Sequence, residues 1–362
     1  MLDYEILRLL CWGLLGLFAV GFALTNGLEM GVTLLLPFLQ LSEPQRRQIA
    51  ARLAPLSAGN QAWFPAVIAV LYAGWPTVYA VVFSSFQNLF LCVMLAACIR
   101  PLGFYFRNSH DHREWLPYWD KALFVSGLLP AALLGLLAGN LLKGFPFHLS
   151  SDMHIAFLGS LAGLFNPFAL LVAACSVALL AAYAAAYLQL HSGPDLRLRA
   201  KALAQTAVIL FLVLFGLCGA WITHLEGYHV TTEIVPDGAS NPLAKFVKRG
   251  DGLWLDNYEH EPALWALPCL AFLAGIGAWA LCKFDRAYWA MLALALALAL
   301  AVLTLGVSMF PFLAPSNISL NSSLTIWDAS ASRTALYGLL SFAGPAWLVM
   351  VLATRGLYRI QR

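Results

Sequence analysis

Long apolar runs separated by short polar segments make up almost the whole chain, and this alternation predicts its architecture. Each run holds about 20 residues, the length that an α-helix needs to cross about 30 Å of hydrocarbon. We therefore expect an all-α, polytopic membrane protein in which residues 1–362 form a single integral membrane domain. The nine predicted spans are residues 9–39, 53–73, 77–99, 122–142, 157–190, 203–223, 263–282, 288–312 and 334–354.

The basic residues set the orientation of these spans. With nine spans, 15 of the 21 Lys and Arg residues fall in loops on the face opposite the N-terminus. Because cytoplasmic loops carry an excess of Lys and Arg, we expect the N-terminus outside and the C-terminus in the cytoplasm. An even number of spans would remove this asymmetry. The same bias accounts for the net charge of +3, which therefore gives no indication of a nucleic-acid partner.

The cysteines, methionines and histidines point away from redox or metal chemistry in this chain. All seven cysteines lie in predicted spans without a Cys-x-x-Cys spacing, where thiols usually pack as small hydrophobic side chains. A lone Met309 beside Phe310 is interpreted as packing too. Haem ligation inside a membrane needs His, Met or Cys facing the bundle interior. We expect no haem or metal ligand and no catalytic residue here, because all eight histidines fall in polar segments: His110, His112, His148, His154, His191, His224, His229 and His260.

One carboxylate, Glu29, lies deep inside an apolar run. Thr25 and Asn26 lie on the same span, and the i, i+4 spacing places Thr25 and Glu29 on one helical face. An ionised carboxylate at this depth costs several kcal/mol, so such a group is either neutral or paired and is by default a proton-relay or ion-site candidate. The alternative is a protonated Glu that hydrogen-bonds a neighbouring helix and contributes only packing specificity.

Two amides, Asn60 and Gln61, lie in the second run, which is the weakest of the nine because Pro55 and Pro65 also interrupt it. Amides inside a membrane hydrogen-bond neighbouring helices, line a hydrated path or contact a ligand. Helix-to-helix contact is the more common outcome. In an antiparallel pair, however, Gln61 and Glu29 would approach a similar depth, so both amides remain candidates for a proton pathway.

Arg100 ends the third run and Asp120 opens the fourth, both on the predicted inner face. A pairing of these two residues at the boundary is one interpretation, and the favoured one is that basic residues there anchor a helix or meet lipid headgroups. Together with Trp63, they are candidates for structural contacts or for contacts with a quinone or lipid.

Ten short motifs resemble, in order and over the whole chain, those of subunit II of the cytochrome bd quinol oxidases. No single motif is decisive, but their common order is specific. The motifs are DYE (3–5), TNGLEMG (25–31), GNQAW (59–63), WPTVYA (75–80), RPLGF (100–104), GNLL (139–142), NPF (166–168), SNPL (240–243), MFPF (309–312) and SLTIWD (323–328).

The resemblance implies a subunit that pairs with a similarly built subunit I in the bacterial inner membrane. Subunit I of that family ligates b-type and d-type haems, oxidises quinol and reduces oxygen to water with protons from the cytoplasm. Subunit II supports assembly, helps to shape a proton route and holds a quinone, ubiquinone or menaquinone, as a structural element. The resemblance also allows for a small single-span subunit and for bound membrane lipids.

This sequence departs from the family pattern near the candidate acid. The family usually has an acid where Asn26 lies, Asp where Glu29 lies, and Trp followed by an acid where Ser57 and Ala58 lie. The acid missing at Ala58 is the one usually assigned to the proton path, so Glu29 is left as the main acid. Two other functions stay open, a secondary transporter and a non-catalytic scaffold. The first is disfavoured because paired intramembrane acids are missing from the sequence.

Overall fold

The computed structural model describes residues 3–109 and 114–360, and within them the chain forms twelve α-helices. Six short strands and several 3-10 turns connect the helices at one end. The helices are α1 (Tyr4–Leu35), α2 (Glu43–Asn60), α3 (Trp63–Gly74), α4 (Pro76–Ser85), α5 (Gln87–Ser109), α6 (Leu116–Lys143), α7 (Pro167–His191), α8 (Pro194–Ile222), α9 (Asp256–His260), α10 (Ala266–Lys283), α11 (Ala287–Met309) and α12 (Arg333–Ile360).

Eight helices of the described chain are long and apolar enough to cross a membrane: α1, α5, α6, α7, α8, α10, α11 and α12. The second predicted span is instead divided between α2 and the 12-residue α3. The break falls at Gln61 and Ala62 because Pro65 has no N–H to donate to the carbonyl of Gln61, four residues earlier. The third predicted span is divided as well, at Phe86 between α4 and α5.

The predicted first residue of the fifth span is wrong. The sequence favoured a helix from residue 157, but Phe157 ends a strand and α7 begins only at Pro167. Asn166 caps this helix, since its side chain accepts a hydrogen bond of 3.0 Å from the backbone N–H of Ala169. Proline at the first helical position supports the same start. The apolar residues before Asn166 therefore belong to the connection between α6 and α7 rather than to the helix.

Helices α1 and α12 run in the same direction. The Tyr4 hydroxyl donates to the carbonyl of Ala331 at 2.6 Å, near the start of both helices. Further along, the Trp347 indole donates to the carbonyl of Leu17 at 3.3 Å. The first and last described helices therefore end at the same side of the bundle, opposite the side where both begin.

The connections at the side where α1 begins form one folded layer, which we call the cap (residues 144–166, 223–262 and 310–332). It holds three antiparallel strand pairs: β1 (Phe147–Leu149) with β2 (Ile155–Phe157), β3 (Glu226–Val230) with β4 (Val247–Asp251), and β5 (Phe312–Ala314) with β6 (Leu324–Thr325). The two long outer connections predicted from the sequence lie in this layer.

A buried ion pair joins two segments of the cap. Lys245 and Asp328 lie 2.9 Å apart, and the Lys245 ammonium also donates to the carbonyl of Pro242. Burial lowers the pKa of Lys245 and raises the pKa of Asp328, while the attraction between the two charges opposes both shifts. The pair fixes the segment before β4 against the one that follows β6.

Arg8 fastens α1 to the cap. Its fully buried guanidinium donates to the carbonyl oxygens of Pro236 and Gly238 and to the hydroxyls of Ser240 and Ser330, at 2.5 to 3.1 Å. A planar group with five donors suits this arrangement of acceptors from two separate segments. This side chain thus ties the start of α1 to two segments of the cap.

We expect Arg8→Ala to loosen the cap, because four buried acceptors lose a charged donor at a cost of about 3 kcal/mol. Limited proteolysis of the purified protein should then cut within residues 231–246 sooner than in the wild type. Arg8→Lys, which keeps the charge but not the planar fork, should give an intermediate rate. Equal cleavage rates in all three proteins would show that the cap is held by other contacts.

Candidate functional site

Glu29 is completely buried in α1, six residues before the end of the helix that lies opposite the cap. At 1.5 Å per residue, the carboxylate lies about 9 Å from that end. Its Oε1 accepts a hydrogen bond of 2.6 Å from Asn60 Nδ2, and its Oε2 accepts one of 3.0 Å from Ser57 Oγ. Both donors belong to the last turn of α2, so the polar end of α2 faces this acid.

Arg100 provides the counter-charge. Its Nη1 lies 3.3 Å from Glu29 Oε2, and its Nη2 donates to the carbonyl of Ser126 on α6 at 3.1 Å. Neither side chain of the pair is exposed. Because the two charges compensate each other, the site places no net charge in the bundle interior. Removing either partner would leave an uncompensated buried charge, which costs about 3–5 kcal/mol.

The interpretation that Arg100 pairs with Asp120 is wrong. Asp120 instead accepts from Arg107 Nε at 2.6 Å and lies 3.2 Å from Arg46 Nη1. Helices α5 and α6 are antiparallel neighbours, so the residue opposite Asp120 near the start of α6 is Arg107, two turns beyond Arg100. Glu43 at the start of α2 also contacts Arg107, at 3.0 Å, which completes a second charged cluster closer to the end of the bundle.

The other sequence-predicted residues divide into two groups. Asn26 belongs to the site, since its Nδ2 donates to the carbonyl of Asn60 at 2.6 Å, at the break between α2 and α3. Thr25 donates to the carbonyl of Gly21 in its own helix and is bonded to no site residue. Gln61 donates to α5 at the carbonyl of Ala97, and Trp63 donates to Thr354 on α12. These last two contacts join helices.

Sequence reasoning missed two members of the site. Ser57 donates to Glu29 from the last turn of α2. Tyr358, near the end of α12, accepts a hydrogen bond of 3.3 Å from Asn60 Nδ2, and no pattern in the sequence linked it to Glu29. Ala58, by contrast, is exposed on the surface of α2. An acid at position 58 would therefore point away from Glu29 and toward whatever surrounds the bundle.

Two atoms of the site, Asn60 Oδ1 and Arg100 Nε, are buried and have no hydrogen-bond partner among the described residues. Buried polar atoms in proteins are nearly always satisfied, commonly by ordered water. An acceptor and a donor beside a buried acid are what a water molecule needs to bind there. Besides its contacts between helices, the site therefore offers one acceptor and one donor to which a water molecule can bind.

The possible metal ligands are dispersed. No group of three or more His, Cys, Asp or Glu side chains suited to a metal ion is found across residues 3–109 and 114–360. Met309 is buried and packs with Phe312 beneath the cap. Six histidines lie at helix ends or in connections, whereas His110 and His112 fall outside the described residues.

A large apolar cavity lies between α1, α6, α7, α8 and α11, from the level of Gly27 to the ends of these helices under the cap. Its volume is about 310 Å³, and Gly27, Met30, Ser176 and Leu298 are among the residues that line it. Gly27 and Gly31 on α1 leave room for Leu180 of α7, since a Cβ at either position would collide with that residue. The cavity has the apolar lining of a site for a hydrophobic molecule.

These features define a polytopic helical membrane protein with one buried acid–base centre near one end of the bundle. The family model for cytochrome bd terminal oxidase subunit II matches residues 7–361, and the chain belongs to this family. The motif resemblance is therefore confirmed. As a member of the family, the chain is a subunit of a terminal oxidase.

The individual proteins that this chain resembles support the same family. The cytochrome bd-I ubiquinol oxidase subunit 2 of Escherichia coli strain K12 is 37% identical over 337 residues, which cover 93% of this chain and 89% of that one. A probable cytochrome oxidase subunit 2 of Haemophilus influenzae is 38% identical over 343 residues, covering 95% and 91%. A chain in the structure of bd oxidase from Geobacillus thermodenitrificans has the same fold, with a TM-score of 0.75, 17% identity and 98% coverage of both chains.

Proposed function

We propose that this chain is the haem-free partner of a haem-bearing subunit I in a quinol oxidase of the bacterial inner membrane. The complex oxidises quinol, and subunit I reduces oxygen to water at its b-type and d-type haems. The chain's own donors do not fit a haem, because the one histidine of the described spans, His191, is the last residue of α7 and bonds the carbonyl of Tyr187 in its own helix, and Met309 packs under the cap. The observation that carries the proposal is family membership over nearly the whole chain.

Purification of the complex through a tag on this chain tests the assignment. We expect a haem-rich partner of similar span count, visible absorption bands of both haem types, and no stoichiometric haem in this chain purified alone. Stable haem binding by the isolated chain would contradict the proposal. The same preparation shows on a gel whether a small single-span subunit is present, and its organic extract shows whether a ubiquinone or menaquinone is bound.

The apolar cavity is the proposed place of that quinone. Its volume of about 310 Å³ and its lining suit a quinone ring or part of an isoprenoid tail, and a lipid chain is the alternative occupant. Trp63, Arg100 and Asp120 do not line this cavity. We therefore assign them structural contacts in place of quinone binding.

The proposed topology has nine crossings, with the broken pair α2 and α3 as the ninth. Parallel α1 and α12 support an odd number, because the two termini then lie on opposite faces of the membrane. The excess of Lys and Arg supports a cytoplasmic end for α12. The cap then lies outside, and Glu29 lies in the cytoplasmic half of the membrane.

A reporter fused after Arg362 tests this topology. We expect activity from a reporter that works only in the cytoplasm and none from one that works only outside. A reporter inserted in the cap between residues 231 and 246 is the matched control and should give the opposite pair of results. Outside activity at the C-terminus would overturn both the odd number of crossings and the orientation.

Within this topology, we assign Glu29 the transfer of protons from the cytoplasmic side toward the oxygen-reducing site of subunit I. Three features support the role: complete burial, two donors from the last turn of α2, and Arg100 as a counter-charge. Asn26 and Asn60 belong to the same polar centre. Thr25 and Gln61 are left with helix contacts, so the proposed pathway does not use their side chains.

A further inference from the structure

A small cavity opens at the end of the bundle opposite the cap, between α2 and the connection of α7 to α8. Its volume is about 140 Å³, and Arg52, Tyr187 and His191 are among the residues that line it. Arg52 Nη1 donates to the carbonyl of His191 at 2.7 Å, and the rings of Tyr187 and His191 have centroids 4.3 Å apart. Imidazole exchanges protons with water near neutral pH, so this cavity brings a proton-exchanging group to the inner end of α7.

Phenol groups lead inward from this cavity. Tyr183 lies one helical turn before Tyr187 on α7, so the two side chains share a face, and both are more than nine-tenths buried. Tyr358 of α12 packs against the same hydrophobic core as these two tyrosines. Three phenol groups are therefore buried in or against this core, with Tyr187 at the cavity and Tyr358 bonded to Asn60, a partner of Glu29.

Asn60 connects Tyr358 to Glu29 by hydrogen bonds. Asn60 Nδ2 donates both to the Tyr358 hydroxyl, at 3.3 Å, and to Glu29 Oε1, at 2.6 Å. Asn60 Oδ1, which is buried and has no partner in the described part of the chain, is an acceptor for a water molecule beside these oxygens. Such a water would connect the phenol to the carboxylate without any movement of the backbone.

We propose that protons enter this chain at the cavity of Arg52 and His191 and pass along Tyr187, Tyr183 and Tyr358, with intervening water, to Glu29. Each oxygen releases its proton to the next as it receives one from the preceding group, so one proton moves and nothing is oxidised or reduced. The route lies wholly inside this chain. The inference rests on the proposed role of Glu29.

Three conservative variants test the route in the assembled complex: Tyr183→Phe, Tyr187→Phe and Tyr358→Phe. Each keeps the ring and removes the hydroxyl, so the haem spectrum should be unchanged. We expect oxygen consumption to fall about three- to tenfold, with a larger solvent deuterium isotope effect than in the wild type. A merely structural role of the hydroxyl would leave the isotope effect as it is.

Tyr258→Phe is the matched control. This tyrosine is equally buried and hydrogen-bonds to Ser308 at 2.8 Å, but it lies beneath the cap at the other end of the bundle. Its rate should equal that of the wild type. Normal rates in the three test variants, together with a slow Glu29→Gln, would overturn the tyrosine route and leave the role of Glu29 intact. Normal rates in the three test variants and in Glu29→Gln would overturn both the tyrosine route and the proton role of Glu29. If one of the three test variants fails to assemble, the rates of the other two still test the route.

Discussion

Glu29→Gln is expected to slow oxygen consumption by the assembled complex about tenfold while leaving its haem absorption spectrum unchanged, although the yield should fall because Arg100 loses its counter-charge. Gln keeps the shape of the side chain and can still accept the hydrogen bond from Asn60, but its amide nitrogen can only donate, and the side chain cannot take up and release a proton. Because the slowed step is proton supply, the complex should also show an increased solvent deuterium isotope effect. The measurement is quinol-driven oxygen consumption by the purified complex in light and heavy water.

Two further variants separate a proton role from a structural one. Glu29→Asp keeps a carboxylic acid at this position, so it should retain most of the rate. Glu29→Gln combined with Arg100→Gln removes both charges and so avoids an unpaired guanidinium in the interior. Normal turnover in Glu29→Gln would reduce Glu29 to a packing residue. A complex lost in the single variant but intact in the double variant would make its role structural.

Arg100→Leu is expected to have the largest effect on assembly. It leaves the Glu29 carboxylate buried without a counter-charge, at a cost of about 3–5 kcal/mol, and removes a hydrogen bond to the carbonyl of Ser126. We expect a low yield of complex and a clearly lower melting temperature, both measurable after purification through a tag on this chain.

The double variant Arg100→Leu with Glu29→Leu is the control for that prediction. Both charges are then absent, and apolar side chains fill a site that is already buried, so most of the stability should return. Together with the wild type and Glu29→Leu, these two variants form a double-mutant cycle that isolates the interaction between the two residues. Additive losses of stability would contradict a direct pairing of Glu29 with Arg100.

The sequence predicted most of the helices but not where they break or begin. Hydrophobic runs show that a segment can cross a membrane, and they do not separate a span from the apolar residues of a packed cap. The residues from Phe157 to Asn166, which precede α7, were therefore counted as part of the fifth span. Pro65 marked the second span as weak, and the structure shows its effect as a break that frees the carbonyl of Asn60 for Asn26.

The candidate site was predictable only in part. Glu29 was identified because a lone carboxylate in an apolar run is a local feature of the sequence. Its partners come from α2, α5 and α12, and contacts between residues so far apart in the chain depend on helix rotation and register. Arg100 was accordingly considered as a partner of Asp120, although the antiparallel register of α5 and α6 places Arg107 there. Tyr358 and Ser57 had no signal that sequence periodicity could detect.

Proton uptake from the cytoplasmic face during a single oxygen pulse tests most directly whether this chain supplies protons through Glu29. The reduced complex is reconstituted in liposomes, and a pH-sensitive dye reports uptake on that face alone. The wild type and Glu29→Asp should take up protons as fast as oxygen is reduced, whereas Glu29→Gln should take them up about tenfold more slowly. Uptake by Glu29→Gln at the wild-type rate would contradict the account.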